Sequence, residues 1–172
     1  MSMQPSVFLL SFALLVTTCG SGSAAGNQND GSPDFHLSEA VLSGGIAGIC
    51  EQLRIDSSGA MTFVESCFSP TGQNTGQLTP LGLTSLEDSL RGITTNDFRF
   101  DAPEPECCDM FSFGLTYTSI SGDDSHYIEA TSDERTPEVF TRSADLATQL
   151  MASLRSCQTT ELMIIEGDCS TS

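Results

Sequence analysis

The residues best suited to chemistry in this 172-residue chain are its seven cysteines and two histidines. Cys19 stands apart near the start, and the other six are Cys50, Cys67, Cys107, Cys108, Cys157 and Cys169. No Cys-x-x-Cys pair occurs, so the spacing does not match the common zinc or redox arrangements. An even set of six in an exported chain instead predicts three disulfides. The histidines, His36 and His126, each fall in strand-like sequence and read as surface strand histidines rather than as ligands or bases.

The carboxylates offer little more. Asp123 and Asp124 lack the regular acidic alternation of a calcium loop. Glu104 and Glu106 lie in a proline-bearing acidic stretch from Asp101 onward, where nothing apolar would bury them and raise a pKa. The His-Glu-x-x-His, Gly-x-Ser-x-Gly, P-loop and dinucleotide patterns do not occur. The sequence therefore predicts a protein that is not an enzyme and needs no cofactor or metal. A net charge of −17, with six arginines and no lysine, would repel phosphate backbones and argues against a nucleic-acid partner.

An address explains the cysteines. Val7 to Val16 is an apolar run of signal-peptide length, too short to cross a bilayer, and it leads into Thr17-Thr18-Cys19-Gly20. The pattern resembles a bacterial lipoprotein signal, with Cys19 as the acylated residue. The expected organisation is a signal peptide over 1–18, a flexible tether over 19–33 and one disulfide-stabilised domain over 34–172. Cleavage after Ala24 or Ala25, without lipidation, is the other possible processing. The expected location is the periplasm or cell surface, with a lipid anchor.

The elements that must position the cysteines follow from periodicity. Asp34 to Leu42 alternates as a strand, and Ser43-Gly44-Gly45-Ile46-Ala47-Gly48 forms a tight apolar-tipped loop. Ile49 to Ile55 returns as a second strand, and Asp56-Ser57-Ser58-Gly59 turns into a third, with Met61 and Phe63 opposite Ile55 and Leu53. Phe68 to Gln77 reads as a loop. Thr79-Pro80 starts a helix bearing Leu83, Leu86 and Leu90, with Thr84 a later alternative start because Gly82 disfavours helix. Glu87 stands four residues before Arg91, and Gly92 terminates.

Phe111 to Tyr117 alternates clearly, Gly122-Asp123-Asp124 turns the chain, and His126 to Thr131 returns it. Thr136-Pro137 begins a second helix, striped by Val139, Phe140, Leu146, Leu150 and Leu154, with Glu138 four residues ahead of Arg142. Leu162 to Ile165 pairs as an edge strand or packs beneath the last cysteine loop. The order βββαββα predicts an α+β domain: an antiparallel sheet of four to five strands with two helices on one face.

This order constrains the cysteines. Continuing the second hairpin's alternation puts Cys67 on the Met61/Phe63 face and Cys50 on the opposite one, which disfavours a direct bridge. Cys107 and Cys108, adjacent and about 3.8 Å apart at Cα, cannot easily bond each other. The expectation is that Cys50 and Cys67 each take one of that pair, leaving Cys157 with Cys169.

The ordered pieces resemble a known family. The first strand running into Ser43-Gly44-Gly45-Ile46-Ala47-Gly48, the Ser57-Ser58-Gly59 turn, the Leu78-Thr79-Pro80 helix start, Asp109 before the aromatic strand and the helix after Pro137 together look like emfourin, a family of inhibitors of thermolysin-like zinc metalloproteases. The resemblance covers residues 35 to 155; the cysteines, the lipoprotein tether and the tail after Cys157 depart from it. It implies a non-catalytic inhibitor of a secreted or periplasmic metalloprotease. Gly44, Gly45, Ile46, Ala47 and Gly48 would then form the contact loop, with Ile46 entering an apolar pocket. A surface lipoprotein domain with a structural or interaction role is the alternative.

Overall fold

The Asp56–Gly59 turn sets the register of the sheet. Asp56 N–H donates to Ala60 O at 3.0 Å and Gly59 N–H to Asp56 O at 2.9 Å, with Gly59 left-handed at φ +83°. Strand β2 (Ile49–Ile55) therefore pairs with β3 (Ala60–Val64) so that Leu53 faces Phe63 and Ile55 faces Met61, as the alternation predicts. The computed structural model describes residues 33–45, 48–68, 72–101, 111–131 and 136–169. The signal segment and the tether as far as residue 32 lie outside them, as do Ile46, Ala47, Cys107 and Cys108.

Strand β1 (Phe35–Gly44) lies between β2 and β5 (Phe111–Ser119), antiparallel to both, with a register shift between Leu37 and Glu39. Strand β4 (Asn74–Leu78) continues the sheet beyond β3, and β6 (Ser125–Thr131) closes a hairpin with β5. Strand β7 (Met163–Glu166) pairs with β4, giving the order β6-β5-β1-β2-β3-β4-β7. The fold is α+β, as expected, but its antiparallel sheet has seven strands rather than four or five.

Strand β4 is the correction to the expected loop. Its core-facing side carries Asn74, Gly76 and Leu78, so the apolar alternation is missing. The buried Asn74 amide is satisfied, with Nδ2 donating to Leu154 O at 2.9 Å. A Cβ on Gly76 would stand 2.8 Å from Met163 Cε and 3.2 Å from Leu154 Cδ2, so neighbouring side chains fill the space it leaves.

Helices α1 (Pro80–Leu90) and α2 (Glu138–Arg155) share one hydrophobic core with the sheet. Leu37, Leu53, Phe63, Leu115 and Tyr117 from the strands are fully enclosed, together with Phe140 and Leu150 from α2. The other face is polar: Glu39 accepts from Gln52 Nε2 at 2.5 Å and from Arg54 Nε at 3.1 Å across β1 and β2. Such alternation is the usual solution for an antiparallel sheet with one solvated face.

Helix α1 begins at Pro80, not at Thr84. Thr79 Oγ1 accepts from Gly82 N–H at 3.1 Å and donates to Glu161 O at 2.5 Å, while Thr79 N–H donates to Leu162 O at 2.9 Å. A Cβ on Gly82 would come within 2.0 Å of Leu162 O. Glycine is thus needed here for close approach of the tail, which outweighs its helix cost of about 1 kcal/mol. Arg91 pairs with Asp88 at 2.6 Å rather than with Glu87. The Glu138–Arg142 pair forms at 3.3 Å, and Arg142 also donates to Arg91 O at 2.8 Å, tying α2 to the end of α1. Helix α2 has Pro137 as its cap residue, without a side-chain cap hydrogen bond. No helix among the described residues is long and apolar enough to cross a membrane.

Candidate functional site

The disulfides define the first candidate region. Cys50 bonds Cys67 directly, with 5.4 Å between their Cα atoms, against the expectation that each would join Cys107 or Cys108. The register has not slipped. The β2–β3 ladder ends at Gln52 and Val64, and beyond it the chain curls. Cys50 and Ser66 then form a parallel bridge, and Cys67 N–H donates to Cys50 O at 3.0 Å. Strand alternation ends at Val64, so it does not decide which face Cys67 takes. Cys157 bonds Cys169, as expected, at 5.8 Å between Cα atoms. These two bridges fit an oxidising compartment outside the cytosol.

The Cys50–Cys67 bridge sits beside the β1–β2 loop. Gly44 pairs with Ile49 and Ser43 with Cys50, so the bridge starts one residue past the loop's closing pair. Gly48 N–H donates to Gly45 O at 3.0 Å. Gly44, Gly45 and Gly48 have φ of 126°, 73° and 65°, a conformation that explains the glycine content. The Phe111 ring packs against Gly45, with Cζ 3.1 Å from where a Cβ would stand.

Three large apolar side chains next to this loop or its bridge are exposed. Ile49 is 38% exposed, Phe111 47% and Phe68, the residue after Cys67, 82%. Ile49 ends the glycine stretch expected to make the contact, whereas nothing in the sequence marks Phe68 or Phe111. Ile49 and Phe111 both pair with Gly44, on opposite sides of β1. That register is invisible without the β1–β5 pairing.

At the other end of β1 lies a groove of about 810 Å³. The start of β1, the Asp56–Ser57 turn, one face of α1 and the Ser119–Ser121 turn enclose it. Leu83, Leu86, Leu90 and Phe35 supply apolar lining, while Asp34, Asp56 and Glu87 supply carboxylates. Asp56 Oδ1 accepts from Ser58 Oγ at 2.6 Å, Ser58 N–H at 2.8 Å and Ala60 N–H at 3.0 Å. The Ser58 hydroxyl is the main cause that holds this carboxyl below its ordinary value; burial opposes it, and the backbone N–H groups of Ser58, Ala60 and Gly59 lower it further.

His36 is among the residues that line the groove. His126 is half-buried rather than on the surface: its ring stacks on Phe98 at 4.2 Å and meets the edge of Phe35. Asp124 Oδ2 lies 3.0 Å from its Nε2. Tyr117 is enclosed in the same aromatic group, and burial raises its phenol pKa, partly offset by the Ser143 hydroxyl. Among the described residues no group of three His, Cys, Asp or Glu side chains is placed to hold a metal ion. Compared with known proteins, the sequence matches no protein-family model and no curated protein.

Proposed function

We propose that this protein is a non-catalytic, exported inhibitor of a thermolysin-like zinc metalloprotease, and that it engages its target through the β1–β2 loop. The observation that carries the reading is the exposed apolar rim of Ile49, Phe68 and Phe111 around a disulfide-braced glycine turn. A braced loop loses little conformational entropy on binding, and exposed aromatic groups are frequent anchors of protein interfaces. The resemblance to emfourin supplies the protease class, and it rests on Ser43 to Gly48 more than on any other stretch. The lipoprotein-like signal at Cys19 supplies an anchor that would hold the inhibitor at a membrane surface.

The direct test is inhibition of a thermolysin-like enzyme by the purified exported chain. Ile46→Asp places a charge at the loop tip and should raise the inhibition constant at least tenfold, about 1.4 kcal/mol. Undiminished potency in that variant removes the loop from the mechanism. No inhibition by the unaltered chain sinks the protease reading and leaves the alternative, a surface lipoprotein domain that binds another protein.

A further inference from the structure

The two edges of the sheet are finished differently. At β7, Thr160 N–H donates to Met163 O at 2.9 Å and Ile165 N–H to Thr159 Oγ1 at 3.2 Å, so the stretch before the strand covers its outward backbone groups. The Cys157–Cys169 bridge closes around strand and cover together. At β6 the backbone points the other way. Ser119 N–H donates to Asp124 O at 2.9 Å, whereas Ile120 N–H turns to Asp34 O at 3.0 Å, on the β1 side. The alternation of an antiparallel ladder then makes His126 and Ile128 the residues bonded to β5. The N–H and C=O groups of Tyr127 and Glu129 face away from the sheet, and among the described residues no hydrogen bond reaches them.

Sheets blunt a bare edge with proline, lysine, a bulge or a covering segment. Strand β6 has no proline or lysine, and its pairing with β5 runs without a shift over all seven residues. The Tyr127 ring does not shade the edge. It lies back over β5, with its hydroxyl 2.6 Å from where a Cβ on Gly114 would stand. Glu129, exposed on the same open face, is the one acidic residue in the strand.

We propose that β6 pairs antiparallel with β6 of a second copy of this chain, about a two-fold axis at Ile128, joining two sheets into one. Self-complementarity selects this occupant. Ile128 is the middle residue of β6, so a two-fold there uses the whole strand. It sets Tyr127 of one copy opposite Glu129 of the other, and each such pair exchanges both of its backbone hydrogen bonds. A two-fold at Glu129 would put like charges face to face, which costs stability. One at Tyr127 would leave Thr131 past the end of the facing strand. The net charge of −17 opposes any approach of two copies, so the pairing is weak at low salt and strengthens as salt screens it. The glycine turn lies at the Thr131 end of β6, and antiparallel pairing sends the two turns to opposite ends of the joined sheet. The dimer therefore stands or falls independently of the inhibitor reading.

The test is sedimentation velocity of the unlipidated exported chain over a dilution series, at low salt and at about 0.5 M salt. A reversible dimer should form, its dissociation constant falling about tenfold with added salt. Amide exchange should show Tyr127 and Glu129 gaining protection as the dimer forms, while the Ile128 N–H, already bonded to β5, changes little. Glu129→Pro removes an outward N–H and no bond to β5, a position where an edge strand tolerates proline, and should give a folded monomer. Glu129→Gln keeps the backbone and removes repulsion, so it should dimerise more tightly. If the proline variant does not fold, the amide protection and Glu129→Gln decide. A chain that stays monomeric at high concentration and high salt overturns the proposal. So does association that salt weakens, which would mark the edge as a site for a basic peptide instead. A dimer that leaves the Tyr127 and Glu129 amides unprotected, or one that survives in folded Glu129→Pro, overturns it too.

Discussion

The two ends of β1 are built on different principles. At the Gly44 end the chain is held covalently: a disulfide begins one residue past the closing pair of the loop, and aromatic side chains stand exposed around it. At the Phe35 end the parts are held by packing and hydrogen bonds alone. There α1 is seated by Thr79 and Gly82 against the tail, and the turn is fixed by Asp56. The first arrangement ties two strand ends together covalently beside the turn. The second offers a concave surface whose shape depends on where one helix sits.

Removing the staple should separate them most sharply. The Cys50→Ser/Cys67→Ser double variant opens a loop with a sequence separation of 17 and should lose about 3 kcal/mol in denaturant unfolding. Amide exchange should quicken at Gly44, Ile49 and Cys67, while Leu86 and Leu90 lose protection only as far as global stability falls. Equal local loss at both ends would show that the two regions open as one unit.

Gly82→Ala should act at the other end. Alanine ordinarily stabilises a helix by about 1 kcal/mol relative to glycine, yet here its methyl would press on Leu162 O. The expected outcome is a destabilisation of about 2 kcal/mol by urea unfolding, the sign reversed by overpacking. Shifts should appear in α1 and in the tail from Glu161, with the glycine turn unmoved. A stabilised variant would mean that the tail does not lie where the structure puts it.

The smallest effect should come from Asp56→Ala. The folded carboxyl has a depressed pKa, so its stabilisation is present above the ordinary carboxylate range and disappears as pH falls through the folded value. The variant should therefore be slightly less stable than the parent at neutral pH and should converge with it in acid. A difference that persists at low pH would assign Asp56 a role other than accepting its turn's hydrogen bonds.

Much of this architecture was legible where side chains alternate on a continuous ladder. The β2–β3 register, the aromatic β5 and the stripe of α2 all follow from that regularity. The misreadings have local physical causes. Strand β4 hides because Asn74 is buried on a carbonyl and Gly76 makes room for its neighbours' side chains. Gly82 looks like a helix breaker until the tail's backbone is seen against it. Cys50 and Cys67 looked misaligned because alternation was extended across a curl that follows Val64. For the loop, Gly44, Gly45, Gly48 and Ile49 were legible from composition and the first hairpin, whereas Phe111 needed the β1–β5 pairing. The groove had no signal in the sequence, since its lining comes from four separated stretches.

Strand β1 also carries a mechanical consequence. The chain enters it beside Pro33 and leaves it at the glycine turn, and it is bonded along both flanks, to β2 and to β5. Ladder hydrogen bonds run perpendicular to the strands. A pull between the N-terminal side of β1 and a protein gripping the turn would run along the covalent backbone of one extended strand, held in place by a ladder on each side. The strand that joins the two ends is then also the domain's tension member.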